Sequence, residues 1–531
     1  MTRSPAAGVR SAHPGTAAAP GEMVGAGDAG PCVLALDVGS SSVRAQLYDA
    51  RGRSVGPAAR REYGWDATPD GGMTVSADEV IGHCVGALDD AVAAAAGSKV
   101  EIAGVGIDTF WHSLVGVGAD GACVTPLFGW GDTRARGAAA KLRERVDVDG
   151  VHCRTGCFVH GSYPAAKLLW LHGEGGDSFP RAAGWMSVGE LLAARLFGER
   201  RCSFSMASGT GLFDLHRLAW DAEMMAAVGV DESMLSPLVD TDAPFRGLAP
   251  DFARRWPSLA DVPWLPALGD GACATVGSGA ATRGSAALTV GTSAAVRVLR
   301  EEETVEVPPG LWCYRLDGRR AVFGRAFSNG GNVFAWLHAT LRLPEPAELE
   351  AVLAEMEPGS HGLTVDPSLV GERPPAADDA PHACIAGLGA ATTPAQVVHA
   401  CMEAVAYRTA DALEALERAF GTADTVVADG GALHASAAWA QLFADVLGRP
   451  LRLSAEAEAT ARGAALVMLE RLGHISHLDD APDDRGEKHE PREERRAQHA
   501  RLRGRQRRLE ALLAEFEAGE HAHDMTNHME R

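Results

Sequence analysis

The sequence predicts a two-lobed α/β protein, and three observations carry that prediction. The chain has 531 residues, too many for one hydrophobic core to serve, so two sizeable domains are expected. A short pattern is written twice: Leu36-Asp37-Val38-Gly39-Ser40-Ser41-Ser42-Val43-Arg44 recurs as Leu288-Thr289-Val290-Gly291-Thr292-Ser293-Ala294-Ala295-Val296-Arg297, with one residue inserted and Thr in place of Asp. Each copy opens a run of strand signals that gives way to helices, so the order of elements restarts halfway along the chain.

Taken in order, residues 1–31 are rich in Ala, Gly and Pro without periodicity and read as a disordered extension. The first lobe is expected over 32–283. Its apolar run 33–37 ends in an Asp, the pattern of a strand buried on both faces. Residues 43–49 form its hairpin partner, and a third strand follows the turn at 50–52. A helix at 77–96 and a buried strand at 102–108 come next, then a hairpin of 113–117 with 122–127 around Asp120-Gly121. Helical signals dominate 135–264 and are clearest at 164–172 and 189–197, while small residues at 272–281 suit a closely packed helix.

The second lobe, over 284–475, begins with strands at 286–290, 295–299, 311–316 and 321–327. A long helix at 393–420, a strand at 425–428 and helices at 436–447 and 459–472 complete it. The charged segment 476–531 is broken by Pro at first and helix-forming around 493–517, and it reads as a solvated, partly helical tail.

Composition narrows the function. At 46% hydrophobic and 22% charged residues the chain can bury a large core. A net charge of −21 excludes a nucleic-acid partner as the default, because polyanion binding needs clustered Lys and Arg. The ten cysteines are scattered, no secretory segment is recognisable, and no apolar run approaches the ~18 residues that span a bilayer. The expectation is a reduced cytoplasmic protein with no membrane partner.

Several suggestive strings fail on context. His152, Cys153, Cys157 and His160 do not have the spacing of a structural zinc site. Gly116-x-Gly118-x-x-Gly121 is followed by a hairpin instead of a helix whose N-terminus could take a pyrophosphate. Gly52-Arg53-Ser54-Val55-Gly56 lies between short strands, away from any strand-to-helix corner. No Gly-x-x-x-x-Gly-Lys-Ser/Thr occurs.

The duplicated turns remain. One such turn alone reads as a plain hairpin, but two at matching places suggest that backbone N–H groups and hydroxyls of Gly39, Ser40 and Ser41 and of Gly291, Thr292 and Ser293 hold phosphates. Asp37 stands beside the first turn, where Mg²⁺ on a phosphate needs an oxygen ligand; the second copy has Thr289 there. Asp270-Gly271, just before the second lobe, reads by itself as an ordinary turn at the start of a small-residue helix.

Residues 34–44, Gly269-Asp270-Gly271-Ala272, 284–293 and Asp429-Gly430-Gly431-Ala432 together resemble the FGGY carbohydrate kinases of the actin, hexokinase and Hsp70 superfamily, over residues 33–472. Arg154-Thr155-Gly156, Tyr163-Pro164-x-x-Lys167-Leu168, Ser205-x-Ala207-Ser208-Gly209-Thr210-Gly211 and Asn329-Gly330-Gly331 look most like bacterial gluconokinases. The resemblance implies a ribonuclease H-like fold with the active site between the lobes. It further implies ATP and Mg²⁺ as cofactors, a small sugar or sugar-acid substrate with D-gluconate first, and room for a homodimer. Xylulose and other sugar or polyol kinases are the alternative, and a non-catalytic actin-like ATP-binding protein is a third reading.

By the same resemblance Asp270 is the catalytic base, and Trp111, His112, Asp132, Arg134 and Asp270 line the sugar site. Asp37 serves the metal, while Gly39, Ser40, Ser41, Arg44, Gly291, Thr292, Ser293, Gly430, Gly431 and Ala432 bind ATP. Gly371-Glu372-Arg373-Pro374-Pro375 also matches, but Ala376-Ala377-Asp378-Asp379 replaces the aromatic and Arg-Gly positions expected after it.

Overall fold

The first strand, β1 (Cys32–Val38), is buried at every position, as a continuous apolar run requires. It is central in a five-stranded sheet with β2 (Ser42–Tyr48), β3 (Ser54–Glu62), β4 (Ile102–Thr109) and β5 (Leu268–Gly269), in the order β5-β4-β1-β2-β3. β1 is antiparallel to β2 and parallel to β4. The computed structural model describes residues 30–302, 304–373, 375, 383–482 and 485–529. The N-terminal extension up to residue 29 and the segment Ala376-Ala377-Asp378-Asp379 lie outside the described residues.

The second sheet repeats this plan. β6 (Ser285–Val290) is antiparallel to β7 (Ala294–Glu301) and parallel to a strand far along the chain. The sheet is completed by β8 (Trp312–Arg315), β9 (Arg320–Phe327), β10 (Thr425–Asp429), β11 (Leu451–Ser454) and β12 (Arg485–His489), in the order β8-β9-β7-β6-β10-β11-β12.

Helix α1 (Ala77–Ser98) starts at Ser76, whose hydroxyl accepts the Glu79 N–H, and buries Val80, Cys84, Ala87, Leu88 and Ala91 against the first sheet. By length and composition alone it is apolar enough to cross a membrane, which corrects the expectation that no stretch approaches that length. Small residues do the work of closest packing between α2 (Asp270–Gly277) and α4 (Ala459–Arg471). A Cβ on Gly277 would lie 1.8 Å from the Ala459 carbonyl oxygen, and one on Gly463 would lie 1.9 Å from that of Cys273. Helix α4, reached late in the chain, lies on β1 and β4 of the first sheet.

One further expectation is narrowed and another corrected. The hairpin around Asp120-Gly121 forms only as a loose ladder: Gly118 N–H donates to Ala122 O, Val124 N–H donates to Gly116 O, and single antiparallel bridges join Val117 to Cys123 and Leu114 to Phe128, with strand structure on the second arm confined to Leu127–Phe128. Pro126 has no N–H for a ladder, and Val115–Val117 also pairs with Gly184–Met186. The C-terminal segment is not a solvated tail. Strand β12 forms the edge of the second sheet, and helix α5 (Glu493–Met529) packs on the same lobe, alongside α3 (Pro394–Phe420). The Tyr407 hydroxyl and His499 Nδ1 lie 3.0 Å apart, Arg408 donates to Glu510, and Arg503 pairs with Asp411. Arg492, just before the helix, pairs with Asp445.

Candidate active site

The two hairpin turns differ in construction. In the first, Val38 faces Val43 around a four-residue loop, which places Arg44 directly across from Asp37. In the second, Val290 faces Ala294 around three residues, so Ala295 lies opposite Thr289. Arg297, two residues on and therefore on the same face, reaches back so that its Nη1 donates to Thr289 Oγ1 at 3.1 Å. Both turns thus carry an arginine at one position of the strand before them, by different registers.

Gly291, Thr292 and Ser293 meet the segments containing Gly330-Gly331 and Gly430-Gly431-Ala432. The Gly331 N–H donates to Gly291 O at 2.7 Å, and Asn332 N–H donates to Thr292 O at 3.1 Å. Gly430 has φ +108°, and a Cβ there would lie 2.3 Å from Val290 O, so this glycine permits packing within the protein. A Cβ on Gly431 would meet nothing within 4 Å, so Gly431 carries the open surface that the sequence assigns to this element. In the first turn, Gly39 O accepts the Tyr63 hydroxyl at 2.5 Å and Ser40 O accepts Trp65 Nε1 at 2.5 Å, while Ser41 stays exposed. Arg44, expected at a phosphate, is engaged with Asp37 at 3.3 Å and Glu458 at 2.5 Å.

Three parallel strand ends bring carboxylates together. Asp37 of β1 lies in register with Asp108 of β4, Leu268 of β5 is in register with Asp108, and Asp270 follows two residues later at the start of α2. Burial pushes the Asp37 carboxyl up to about 6 against the opposing effect of Arg44, and it pushes Asp108 well above the usual carboxylate range, with Asp37 adding to the effect. Asp270 is also raised by burial, opposed by Arg297 and by the Gly271 N–H on its Oδ1 at 2.7 Å. Apart from each other and the Arg44 ion pair, the buried Asp37 and Asp108 carboxyl groups find no hydrogen-bond donor among the described residues. Unsatisfied anionic oxygens of this kind fit a hard divalent cation such as Mg²⁺.

Trp111 and His112 follow β4 as the sequence implies, but Trp111 offers no free ring face for a polyol. It is 6% exposed, its Nε1 donates to Ser205 O, and its ring is covered by Gly269, Gly271, Trp312 and Tyr314. Trp111, which the resemblance places in the sugar site, packs the first lobe against Trp312 and Tyr314 of the second. His112 has φ +66° and its Nδ1 lies 2.6 Å from Gly209 O, so Nδ1 carries the proton and Nε2 is left as an acceptor. Burial pushes its pKa down to about 3, which keeps the ring neutral.

Asp132 accepts the Met73 N–H and the Arg134 guanidinium, and Arg134 lies 4.8 Å from the centre of the Trp170 ring. This pair braces the pocket wall rather than forming a surface ion pair. Arg373, within the second-lobe element, stacks 4.4 Å from the Trp130 ring of the first lobe and faces Asp270, Tyr163 and Tyr314. Lys167 is buried, donates to Ser162 O, and lies near Asp132 and His112.

Asp108, Arg297 and Arg373 are the site residues the sequence analysis did not single out; what marks Asp108 is its register beside Asp37, which only the folded sheet shows. The sequence-level zinc candidates do not converge. His152 contacts Leu311 O and stacks on Phe158. Among the described residues, the one group of three ligands within 4.8 Å of one another is His361, His399 and Glu403. His361 Nδ1 there already accepts the Leu363 N–H while its Nε2 bonds to Glu403.

Comparison with known proteins gives the family and the fold. Residues 32–277 match the N-terminal domain, and residues 286–469 the C-terminal domain, of the FGGY family of carbohydrate kinases. The chain is 26% identical over 463 residues to a gluconokinase of Bacillus subtilis, covering 85% of this chain and 90% of that protein. It is 29% identical over 506 residues to glycerol kinase 1 of Pseudomonas aeruginosa, covering 92% and 96%. Among solved structures, gluconate kinase from Lactobacillus acidophilus superposes with a TM-score of 0.84 at 24% identity, covering 91% of this chain and 98% of that one. Ligand-bound xylulose kinase from the same organism gives the same four values. The fold is therefore the two-domain actin- and hexokinase-like one. With both domain models matched in order, the chain belongs to the FGGY family of carbohydrate kinases.

Proposed function

We propose that this protein transfers the γ-phosphate of ATP to a terminal hydroxyl of an open-chain sugar acid, D-gluconate first. The observation that carries the choice of an acid is the set of basic side chains around the candidate acceptor site. Arg297 and Arg373, both half-buried, face Asp270, and Arg373 and the buried Lys167, whose pKa burial lowers to about 7, face His112. In a chain of net charge −21 these local groups are what would hold a substrate carboxylate. The similarity to gluconokinases of two Bacillus species, each at 26% identity, supports the same reading.

In this reading Asp270 accepts the proton of the attacking hydroxyl, a task suited to a carboxyl whose pKa burial has raised. The neutral His112 accepts a hydrogen bond from a sugar hydroxyl at Nε2, because Gly209 O fixes the proton on Nδ1. The turns Gly39–Ser41 and Gly291–Ser293 hold phosphate oxygens, Gly431 and Ala432 leave room for the base and ribose, and Asp37 faces the metal. Mg²⁺, when bound, neutralises charge on the phosphates. Lobe closure through Trp111, Trp312 and Tyr314 excludes water from the transfer.

Measurement of ADP release with gluconate, xylulose, ribulose and glycerol tests the proposal. Gluconate is expected to give a kcat/KM at least tenfold above the others. Stimulation by xylulose or glycerol but not gluconate would replace the acid with a neutral substrate, and nucleotide binding without turnover on any of them would favour an ATP-dependent switch.

A further inference from the structure

The pair of carboxylates at the ends of β1 and β4 has more charge than its surroundings neutralise. Asp37 is 1% and Asp108 0% exposed, and the strand register sets them side by side. Apart from each other and the Arg44 ion pair, the two carboxyl groups find no hydrogen-bond donor among the described residues. Arg44 is the cation on Asp37, 3.3 Å away, but it also holds Glu458 at 2.5 Å. An ionised carboxylate buried without a donor or counter-charge is costly, so an arrangement that places two of them together calls for a cation.

We propose that Asp108 is a second protein ligand, beside Asp37, for the divalent cation of this enzyme. The inference rests on the reading of the protein as a Mg²⁺-dependent phosphotransferase. Two hard carboxylate donors, with Arg44 at 3.3 Å from Asp37 as their one N–H neighbour among the described residues, select Mg²⁺ or Mn²⁺ over softer metals. Asp270 stands apart in this scheme. It does not complete a group of three with both of the others within 4.8 Å, and its own oxygen takes the Gly271 N–H, which leaves it for the proton of the acceptor alcohol. The second lobe offers no such pair, because the Asp37 position there is Thr289, already bonded to Arg297.

The test titrates Mn²⁺ into the full-length protein with a saturating non-hydrolysable ATP analogue and follows the free-ion signal by electron paramagnetic resonance. Asp108→Asn and Asp37→Asn are each expected to weaken Mn²⁺ at least tenfold. Wild-type affinity in Asp108→Asn together with loss in Asp37→Asn would overturn the role of Asp108 and leave that of Asp37 standing. Undiminished affinity in both, or no binding by the wild type, would overturn the metal reading itself. Should Asp108→Asn fail to fold by circular dichroism, Asp108→Ser is read by the same criterion. Should neither fold, the anomalous density of a wild-type crystal grown with Mn²⁺ decides: an ion touching both carboxylates supports the proposal, and an ion on Asp37 alone, or none, overturns it.

Discussion

Arg44 faces Asp37 across the first hairpin, with Nη2 3.3 Å from Oδ2, while Nη1 donates to Glu458 at 2.5 Å, just before helix α4. One guanidinium therefore ties the first turn to a helix more than four hundred residues away in sequence. Removing one partner of a buried ion pair costs about 3–5 kcal/mol, and the partial exposure of Arg44 puts the value toward the lower end. Arg44→Met is expected to lower the urea midpoint accordingly. Arg44→Lys should recover less than half, because an ammonium cannot fork between two carboxylates. A midpoint unchanged by Arg44→Met would show that the pair contributes nothing.

Asp270→Asn keeps the shape of the side chain and removes its basicity. The expected result is a fall in kcat of ~10²–10⁴ with little change in the KM for the sugar, and a melting temperature no lower than that of the wild type, since burial opposes the charge. Stopped-flow or coupled-assay rates beside a thermal melt check both parts. Near-normal turnover would remove Asp270 from the chemistry.

Lys167 gives a pH signature. Burial lowers its pKa from 10.5 to about 7, so between these values the unfolded chain binds more protons at this site than the folded one. Its contribution to stability therefore rises with pH, by up to about 1.4 kcal/mol per unit, and the burial penalty is fully present below pH 7. Lys167→Met, which removes the titrating group, should be more stable than wild type at pH 6.5, and the gap should narrow by pH 9.5. Urea melts at the two pH values measure it, and a gap independent of pH would contradict the prediction.

Two glycines separate packing from binding. Gly463→Ala pushes a methyl into the Cys273 carbonyl oxygen and is expected to cost about 1–3 kcal/mol or more, seen as a lower melting temperature. A methyl on Gly291 meets nothing within 4 Å, so Gly291→Ala should melt like wild type yet bind ATP at least several-fold more weakly, measured by calorimetry. Wild-type affinity in that variant would take the second turn away from the phosphates.

Much of this was readable in advance wherever one local pattern had one physical meaning. The apolar run into Gly39 and its copy into Gly291 specify buried strand, turn and strand, and both hairpins formed. Asp108 was not legible as a site residue, because an Asp ending an apolar strand has the same local pattern whether it meets solvent or another carboxylate. The docking of α5 was hidden for a similar reason. Its Arg503 and the preceding Arg492 are matched by Asp411 and Asp445, on helices the segment's own periodicity does not specify. The packing of Trp111 was not legible either, since the residues that cover it, Trp312 and Tyr314, come from the other lobe.

The contact between Gly277 and Ala459 and between Gly463 and Cys273 joins two helices backbone to backbone. Side chains that interlock across a helix pair must change rotamer or dilate before the pair can turn. Here the close main-chain seam is also toothed: Arg462 of α4 donates to Gly277 O at the end of α2 and to Gly52 O, while Leu466 and Met468 lie against Gly52 and Gly104 of the first lobe. The late helix is thus a fixed part of the first lobe, and a chain cut before it would leave the face of β1 and β4 that it covers open to water.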